Sequence, residues 1–466
     1  MSPGRPRVSP LRAACLPGSC AQPRHGATVD LSAVGHQHDE AAERSPSRLV
    51  VRTVSVPDPG DLIARLPTPR TLAWVRRGDG LVGWGIAAKI ILPAGEDRFV
   101  AGEKWLRELF DGADVIDEVA VPGSGPVAFG SFTFDPTSDG SVLVIPRTVL
   151  GRSDGAAWLT TISPDPLPDT RATSGTQALA CLPLPAPLTT PTGVRWADGR
   201  LTAPQWQRAV ATAVAAIRSG SLRKVVLALE LNATAAEDID SRVLLARLAD
   251  RYPDCYTFGC DGLVGATPEL LIKRADNTLD SLVLAGTMAR GGTPESDEAL
   301  GAALLASAKD RDEHQYAVAD VRAALQPLCA DLVIDEEPSL LRLPNVQHLA
   351  TWVHGRLAAG QAASYSALAL AAAQHPTAAV CGTPAEAAME LIRDLESMER
   401  GRYAGPVGWV DARGNGEWGI ALRCAFVSGR NARLIAGCGI VAGSDPYAEV
   451  AEAQAKFWPM RYAIEG

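Results

Sequence analysis

Residues 434–457 read LIAGCGIVAGSDPYAEVAEAQAKF, and the interpretation of the whole chain starts from this stretch. Its opening apolar run contains Gly437 and Gly439, and a ligand can approach glycine backbone closely because no side chain intervenes. The chain then turns at Asp445 and Pro446 into a predicted helix, since aspartate favours the N-cap and proline the first helical position. This stretch alone fits either a strand followed by a solvated helix or a ligand site.

The predicted helix carries charged side chains on one face. Glu449, Glu452 and Lys456 follow one another at i, i+3 and i+7, so they lie on the same side of a helix. Carboxylates arranged in this way can hold a cation. Charged faces are also common on helices that only meet solvent, so the rest of the chain has to decide.

Composition limits the class of protein. The chain has 466 residues, of which 47% are hydrophobic and 21% charged, as in soluble globular proteins. A net charge of −9 argues against nucleic acid as the main partner. An anionic substrate would need a locally positive group or a metal ion. No apolar run approaches the roughly 18 residues of a membrane span, so no membrane association is expected.

The nine cysteines are odd in number, scattered, and without a CxxC pair. Neither a structural zinc site nor a disulfide framework is indicated. We therefore expect reduced thiols and a cytoplasmic protein.

The chain divides into three parts by composition. Residues 1–46 are rich in Pro, Arg, Ser and Gly and are predicted to be a disordered leader. Residues 47–204 show mostly strand patterns, and residues 205–466 show strands and helices in clusters. Clustering rather than strict alternation predicts an α+β fold with large antiparallel sheets and helices on the outside.

Several elements are predicted in detail. The turn of a hairpin is expected at Asp79-Gly80, and a strand is expected at 224–231, KVVLALEL. One long helical region is expected from Glu295 to Leu328. A capping box is expected at 383–386 with proline at the first helical position. Residues 405–411 and 418–427 are expected to form a further hairpin.

Two residues have the chemistry of an acid/base pair. Lys224 opens an apolar strand, and burial would favour its neutral form, which a lysine base requires. A lysine guarding a strand end is the alternative. Glu269 precedes Leu270 and Leu271, and a carboxyl group among apolar neighbours tends to stay protonated and can act as a general acid. A solvent-facing strand residue is the alternative there.

Asp310 and Glu313 form a second acidic helix face beside that of Glu449 and Glu452. Ligand sets made only of oxygen favour Mg²⁺. A di-iron site would need a histidine three residues after a glutamate, and His314 is adjacent to Glu313 instead. A solvated face remains the alternative for the pair at 310 and 313.

Two further residues are ambiguous on local sequence. His348 is flanked by apolar residues and is either a hydrogen-bonded core histidine or a functional one. Arg423 is predicted within an apolar strand, where an arginine needs a partner. That partner is either an internal carboxylate or the carboxylate of a substrate.

The order of these motifs is more specific than any one of them. The motifs are KVVLAL at 224–229, TPELL at 267–271, LAGT at 284–287, SAKDRDEH at 307–314, QHLAT at 347–351, HPTAAVCGTP at 375–384, ALR at 421–423 and AGCGIVAGSDPYAEVAEAQAK at 436–456. Together they resemble the chorismate-binding enzymes, which include isochorismate synthases, salicylate synthases and the synthase components of anthranilate and aminodeoxychorismate synthesis. The resemblance is strong over 205–460 and weaker over 47–204, and it implies the layered fold of anthranilate synthase component I with both parts in one domain.

The resemblance implies a role for each site residue. Lys224 would be the general base and Glu269 the general acid. Mg²⁺ would be bound by Glu313 and Glu452, with Asp310 and Glu449 acting through waters. The implied substrate-binding residues are Gly286, Thr287, His348, Ala379, Tyr403, Leu422, Arg423, Gly437, Gly439 and Lys456. Among these, Arg423, Tyr403 and the two C-terminal glycines would hold the enolpyruvyl carboxylate, while Lys456 would pair with the acidic cluster or a carboxylate.

Ala379 bears on the subfamily. The resemblance places it beside the attacking nucleophile, where salicylate synthases and ammonia-using members usually have threonine and isochorismate synthases have alanine. The expected function is therefore Mg²⁺-dependent conversion of chorismate to isochorismate for menaquinone or siderophore biosynthesis, with no obligate glutaminase partner. The alternatives are a salicylate synthase, an ammonia-using synthase component, and a chorismate-binding paralogue without catalysis.

Overall fold

The computed structural model of the protein describes residues 48–164, 174–361 and 364–466. The leader predicted at 1–46 lies outside these residues. Within them, no helix is long and apolar enough to cross a membrane.

Nine α-helices lie in the described part of the chain. They are α1 (Arg98–Asp111), α2 (Gly175–Ala180), α3 (Ala203–Arg218), α4 (Ser241–Arg251), α5 (Pro294–Ala306), α6 (Ala308–Leu325), α7 (Ala367–Gln374), α8 (Ala385–Glu396) and α9 (Pro446–Glu465).

The described strands fall into two large sheets. The strands are β1 (Val50–Ser55), β2 (Leu72–Arg76), β3 (Asp79–Trp84), β4 (Ala88–Leu92), β5 (Asp114–Asp117), β6 (Val127–Ser131), β7 (Ser141–Ile145), β8 (Thr148–Ser153), β9 (Ala156–Ser163), β10 (Arg195–Asp198), β11 (Lys224–Thr234), β12 (Tyr256–Cys260), β13 (Leu263–Thr267), β14 (Leu270–Ala275), β15 (Thr278–Ala289), β16 (Cys329–Ile334), β17 (Ser339–Arg342), β18 (Val346–Leu357), β19 (Gly382–Thr383), β20 (Pro406–Asp411), β21 (Gly416–Ile420), β22 (Cys424–Ser428) and β23 (Asn431–Ile440).

The first sheet has 13 strands in the order β10-β11-β23-β22-β13-β12-β2-β3-β8-β9-β1-β5, with β19 paired to β11. The second has 10 strands in the order β16-β18-β15-β14-β21-β20-β6-β7-β4, with β17 paired to β18. Among the described strands the pairing of β1 with β5 is parallel and the others are antiparallel. Strands from before and after residue 204 are joined in both sheets, for example β2 with β12 and β6 with β20.

The sheets pack against each other around one apolar core, and helices cover their outer faces. Trp74 of the first sheet is buried and donates its indole N–H to Glu417 Oε2 of the second at 2.8 Å. Helices α3, α4, α8 and α9 contact the first sheet, and α5, α6 and α7 contact the second. The α+β prediction with antiparallel sheets and outer helices is confirmed.

The structure corrects three details of the N-terminal hairpin and the helices. Arg76 pairs with Asp79, so the hairpin turn is at Arg77 and Gly78, both with positive φ, and not at 79–80. The long helix expected from 295 to 328 is interrupted at Ser307, which leaves the helical region and caps α6 by accepting from the Asp310 N–H at 3.3 Å. No capping box precedes α8, because Thr383 belongs to β19 and Pro384 is the N-cap.

The hairpin expected at 405–411 and 418–427 is only half correct. Strands β20 and β21 pair in the second sheet, but the chain then leaves that sheet and enters the first as β22. The crossing segment 421–423 therefore lies where the two sheets meet. This crossing places Arg423 at the cleft described below.

Candidate active site

A cleft between the two sheets collects most of the predicted site residues. Its empty volume is about 610 Å³, part of which is open to solvent. Of the predicted residues, Glu269, Gly286, Thr287, Glu313, His348, Ala379, Tyr403, Leu422, Arg423, Gly437, Gly439, Glu452 and Lys456 line it. Lys224, Asp310 and Glu449 do not line the cleft but lie next to residues that do. Lys224 pairs with Glu313, Asp310 lies beside Gly286, and Glu449 lies close to Glu452.

Lys224 is the first residue of β11 and is completely buried. Its Nζ lies 3.2 Å from Glu313 Oε1, the carboxylate contributed by α6. This carboxylate forms an ion pair with the buried amine, whose Nζ has no hydrogen-bond partner among the described residues. The base role expected from the sequence stays a prediction.

The segment that follows Ala379 is hydrogen-bonded to the beginning of β11. Thr383 pairs with Lys224 and Gly382 with Val225 in β19, while the Val226 N–H donates to the Cys381 carbonyl at 2.8 Å. Because these contacts run antiparallel to β11, residues 379 and 380 lie further along β11 than Lys224, and they line the cleft with Val226. The expected place of Ala379 beside the nucleophile stays a prediction.

Glu269 lies between β13 and β14 and is 5% exposed. Burial raises the pKa of its carboxyl group to about 8, although Lys224, Arg423 and Lys456 all act to lower it. Near neutral pH this carboxyl group is therefore protonated and can donate a hydrogen bond or a proton. Its predicted character as an acid agrees with this environment.

Thr287, His348 and Arg423 form a hydrogen-bonded row across the cleft. His348 Nδ1 lies 3.0 Å from Thr287 Oγ1, and its Nε2 lies 3.4 Å from an Arg423 guanidinium nitrogen. Because a guanidinium can only donate, Nε2 is the acceptor, and Nδ1 therefore carries the proton. Burial, followed by the nearby Arg423 and Lys456, holds the pKa of His348 well below its usual value, so the ring is neutral.

Gly286 permits this row to form. It has a φ of +77° at a register shift in β15, and this bulge turns Thr287 toward His348. A Cβ at position 286 would lie 3.1 Å from Asp310 Cβ. Glycine is needed here both for the backbone conformation and for the close approach of α6.

Arg423 does not lie inside a strand, which corrects the sequence interpretation. It precedes β22 with a φ of +49°, in the segment that crosses from one sheet to the other. Across residues 48–164, 174–361 and 364–466, no carboxylate lies within 4.0 Å of its guanidinium. Since an arginine that is 8% exposed needs a partner, an anionic ligand group in the cleft is favoured over an internal Asp or Glu.

Gly437 and Gly439 direct their amides away from β11. They stand opposite Ala228 and Val226, whose N–H groups donate to Glu396 and Cys381 instead of β23. These pairs are therefore the non-hydrogen-bonded positions of the antiparallel ladder. A Cβ on Gly439 would collide with Glu313 Oε1, so glycine also keeps this wall of the cleft open.

Lys456 lies between Gly437 and Glu452. Its Nζ donates to the Gly437 carbonyl at 2.8 Å and lies 2.6 Å from Glu452 Oε1. Burial is the largest single influence and lowers the pKa of Lys456, but Glu452 and Cys438 together raise it above its usual value, so this lysine stays charged. Tyr403, whose pKa burial raises to about 12, is neutral and lines the same end of the cleft.

The acidic residues meet where α6 and α9 approach each other. Single ligand atoms of Cys438, Glu449 and Glu452 lie within 4.8 Å of one another, a set that includes a cysteine not predicted from sequence. Burial and then the Glu452 charge raise the pKa of Glu449 to about 7, and Glu449 Oε2 is buried without a hydrogen-bond partner among the described residues. A carboxylate oxygen left in this state is suited to a cation.

Asp310 and Glu313 face this group from α6. Burial raises the pKa of Asp310, with smaller raising contributions from Glu313 and Glu452 and lowering ones from Ser307 and Lys309. Within the described residues, neither Asp310 nor Glu313 belongs to the group of ligand atoms that lie within 4.8 Å of one another, so their part in a metal site stays a prediction.

Three lysines offset the charge of the acidic residues. Lys224 pairs with Glu313, Lys456 with Glu452, and Lys309 with Glu449 at 3.4 Å. The last pair was not predicted, because Lys309 was read only as part of the SAKDRDEH motif.

Sequence reasoning missed other parts of the cleft wall, above all Arg400. Its guanidinium pairs with Glu396 at 2.5 Å and donates to the carbonyls of Val380 at 2.9 Å and Val226 at 2.7 Å. This buried pair joins the end of α8 to β11 and to the segment of Ala379. The available signal was a glutamate and an arginine spaced i, i+4 just before Tyr403.

The family's sequence profile, described as chorismate binding enzyme, matches residues 41–465. This chain belongs to the chorismate binding enzymes. Its membership covers nearly the whole sequence, including the N-terminal sheet strands. The motifs quoted above are thus those of a chorismate binding enzyme, and the cleft is where they meet.

Two curated members of the family are similar over long stretches. The isochorismate synthase DhbC of Bacillus subtilis is 41% identical over 270 residues, covering 56% of this chain and 67% of that protein. The salicylate biosynthesis isochorismate synthase of Pseudomonas aeruginosa is 37% identical over 417 residues, covering 84% of each.

The solved structure of MenF, the menaquinone-specific isochorismate synthase of Escherichia coli, has the same fold. It superposes with a TM-score of 0.72 at 26% identity, covering 90% of this chain and 95% of that one. The two-sheet architecture of this chorismate binding enzyme is therefore that of a known relative.

Proposed function

We propose that this chorismate-binding enzyme is an isochorismate synthase, which adds a hydroxyl group at C2 of chorismate and removes the one at C4. The observation that carries the proposal is that the cleft is lined by Glu269, a carboxyl group protonated near neutral pH, and by Glu313, behind which buried Lys224 lies at 3.2 Å. The curated relatives named as isochorismate synthases support the choice of reaction.

Lys224 is the base in this proposal. Neutral Nζ takes one proton from a water molecule as its oxygen bonds to C2, and the ring double bonds shift toward C4. Glu313, whose Oε1 lies 3.2 Å from Nζ, holds the amine in position.

Glu269 is the acid. It gives its proton to the C4 hydroxyl, so that the C4–O bond breaks with release of water. The two groups have opposite protonation states before the reaction, which is the arrangement that an acid/base pair needs. After one turnover Lys224 holds an extra proton and Glu269 lacks one.

The substrate's carboxylates would be bound at the positive end of the cleft. Arg423 is the candidate for a bidentate contact, because no internal carboxylate among the described residues occupies it. Tyr403 and the outward-facing amides of Gly437 and Gly439 add neutral donors. Leu422 and the Thr287–His348 pair would then contact the ring.

Mg²⁺ is the proposed cofactor, with Glu313 and Glu452 as direct ligands and Asp310 and Glu449 one water further out. The unpartnered Oε2 of Glu449 and its closeness to Glu452 support a cation at this place. When bound, the ion would supply positive charge for the ring carboxylate and draw electron density from the diene. A dianion could thus enter a protein of net charge −9.

Ala379 supports water as the nucleophile. It leaves space in the cleft that Glu269 lines and removes a hydroxyl that could bind or orient a different nucleophile. A glutaminase partner is therefore not required, and we propose a cytoplasmic enzyme whose product feeds menaquinone or siderophore biosynthesis.

One incubation tests the proposal. The purified protein is mixed with chorismate and Mg²⁺, with and without ammonium, and the products are separated by chromatography. Isochorismate in both reactions is the expected result. Salicylate with pyruvate, an aminated product that needs ammonium, or unchanged chorismate would each replace the proposal by one of the alternatives.

Removal of the metal is a second test, and it predicts a reversible loss of turnover. EDTA should reduce isochorismate formation to background, and added Mg²⁺ should restore it. Without the ion, the acidic residues offer no positive charge to the carboxylate of the substrate. Mg²⁺ at 100 times its Kd should also stabilise the protein by about 2.7 kcal/mol in thermal unfolding. Full activity in EDTA would remove the ion from the mechanism.

A further inference from the structure

A second, smaller cavity lies behind Glu269, on the side away from the substrate cleft. Glu269 and Ala379 line both cavities, so these two residues form the wall between them. The remaining lining comes from β14, β15, α6 and the turn at Thr377. The acid of the proposed reaction therefore has a cavity on each of two sides.

Thr377 supplies an unusual polar group to the rear cavity. The residue is 3% exposed, and its Oγ1 is buried without a hydrogen-bond partner among the described residues. Its carbonyl accepts from the N–H groups of Val380 and Cys381, whereas its hydroxyl group has no such partner in the described part of the chain. Ser281, the other hydroxyl there, donates to the Leu270 carbonyl at 3.3 Å.

The rear cavity is suited to one water molecule. The centre of a water has about 10 Å³ in which to move there, just enough for a single molecule. A buried water also needs polar partners, and the Thr377 hydroxyl and the Glu269 carboxyl group are both available. Ala317 and Val321 of α6 close the space with apolar groups.

The proposed reaction creates a need for such a water. Each turnover moves a proton from Glu269 to the departing hydroxyl, so Glu269 must regain one before the next. In the proposed cycle the product lies on the cleft side of Glu269 at that moment, whereas the rear cavity has room for a water. Asp320, an exposed residue of α6, accepts from the Ala378 N–H at 2.8 Å, so a group in contact with solvent adjoins the Thr377 turn.

We propose that the rear cavity is a water site and that Thr377 positions the water that returns a proton to Glu269 between turnovers. The inference rests on the proposed function, since it needs Glu269 as the acid. The water gives one proton to the carboxylate and recovers one from solvent, while Lys224 releases its extra proton to solvent. Thr377 is thus a positioning residue, and it does not touch the substrate.

Rapid-quench kinetics of Thr377→Val test the proposal, because valine keeps the shape and removes the hydroxyl. Glu269 is protonated at the start, so the first turnover should proceed at the wild-type rate. Later turnovers should slow by roughly 10-fold, less than the 10²–10⁴ typical of losing a general acid itself, and a burst should appear. Thr377→Ser, which restores a hydroxyl, should abolish the burst.

Thr257→Val is the matched control. Thr257 is a second buried threonine whose Oγ1 has no partner among the described residues, and it lies in β12 outside both cavities. This variant should show neither a burst nor slower turnover. If Thr377→Val does not fold, Ala317→Val fills the same cavity and should give the same burst.

The outcomes separate this inference from the proposed function. Equal slowing of first and later turnovers would mean that Thr377 is only structural, and unchanged kinetics would mean that no water relay exists. Either result leaves isochorismate formation by the wild type intact. If the wild type makes no isochorismate, the proposed function and this inference are both wrong.

Discussion

The glutamates on the two walls of the cleft have different neighbours. On one wall Glu269 is buried without an ion-pair partner within 4.0 Å in the described chain, and its pKa rises to about 8. On the other wall Glu313, Glu449 and Glu452 each lie within 4.0 Å of a lysine. Burial raises the pKa of Glu269 on the first wall and of Glu449 on the second, but only the second wall places a lysine beside each glutamate.

This difference shows how one cleft can hold a neutral acid beside a charged cluster. Glu269, which has no ion-pair partner among the described residues, keeps its proton near neutral pH, whereas each of the three glutamates on the other wall has a lysine beside its carboxyl group. The chemistry of each residue is therefore set by its neighbours rather than by its type. Changing one wall at a time should separate the two effects.

The largest expected effect comes from removing the base. Lys224→Ala should lower kcat for isochorismate by about 10⁴-fold, the upper end for loss of general acid–base catalysis. The change also leaves Glu313 without its lysine, so part of the stability should be lost, about 3 kcal/mol for a broken buried pair. Quenched assays measure kcat, and unfolding followed by circular dichroism measures the stability.

Lys273→Ala is the matched control for that variant. Lys273 is also a strand lysine paired with a glutamate, at 3.0 Å from Glu417, but it does not line the cleft. Its replacement should leave kcat near the wild-type value. Near-wild-type turnover by Lys224→Ala would rule out the base assignment.

Removing the acid is the next largest change. Glu269→Gln keeps the shape of the side chain and cannot transfer a proton, so kcat should fall by about 10³-fold with a smaller change in KM. Glu103→Gln is a control, since the pKa of Glu103 is likewise raised by burial but the residue lies outside the cleft. A rise in KM alone for Glu269→Gln would contradict the acid role.

The sequence predicted the wall that holds Glu449 and Glu452 better than it predicted the geometry of the wall that holds Glu269. The spacing of Glu449, Glu452 and Lys456 on a helix follows from a repeat of 3.6 residues, and α9 presents them as expected. The strand of Lys224 is equally direct, because its apolar run needs no long-range information. Local periodicity is enough wherever one element carries the whole feature.

Features made by tertiary contacts could not be predicted in this way. Arg423 was placed in a strand, but it occupies the crossing between sheets with a φ of +49°, which only the sheet topology explains. The Lys224–Glu313 contact joins residues 89 positions apart, and no local pattern links them. The rear cavity behind Glu269 likewise depends on how α6 packs against β15.

The raised pKa of Glu269 also predicts how stability depends on pH. The folded protein keeps a proton that the unfolded chain loses near pH 4, so this group's contribution is full below about pH 4 and is lost as pH rises toward 8. Glu269→Gln removes that dependence. Its free energy of unfolding should therefore rise relative to wild type between pH 5 and pH 8, by on the order of 3 kcal/mol.

Urea unfolding at pH 5, 6.5 and 8 measures this difference. The comparison isolates Glu269, because every other titrating group is common to both proteins. A constant difference across the three pH values would mean that Glu269 is already ionised in the folded state, and the contrast between the two walls would disappear.

The smallest expected effect tests the shared wall at Ala379, which lines both cavities. Threonine adds a methyl group and a hydroxyl where the rear space holds about one water, so turnover should fall by about 5-fold to 10-fold, or roughly 1 kcal/mol. Ala379→Val has nearly the same volume without the hydroxyl. Equal losses in the two variants would attribute the effect to space alone, whereas a loss confined to threonine would show that a hydroxyl there redirects the nucleophile. Unchanged turnover in both would mean that alanine is not needed to make room for water, and chromatography of the products with and without ammonium completes the test.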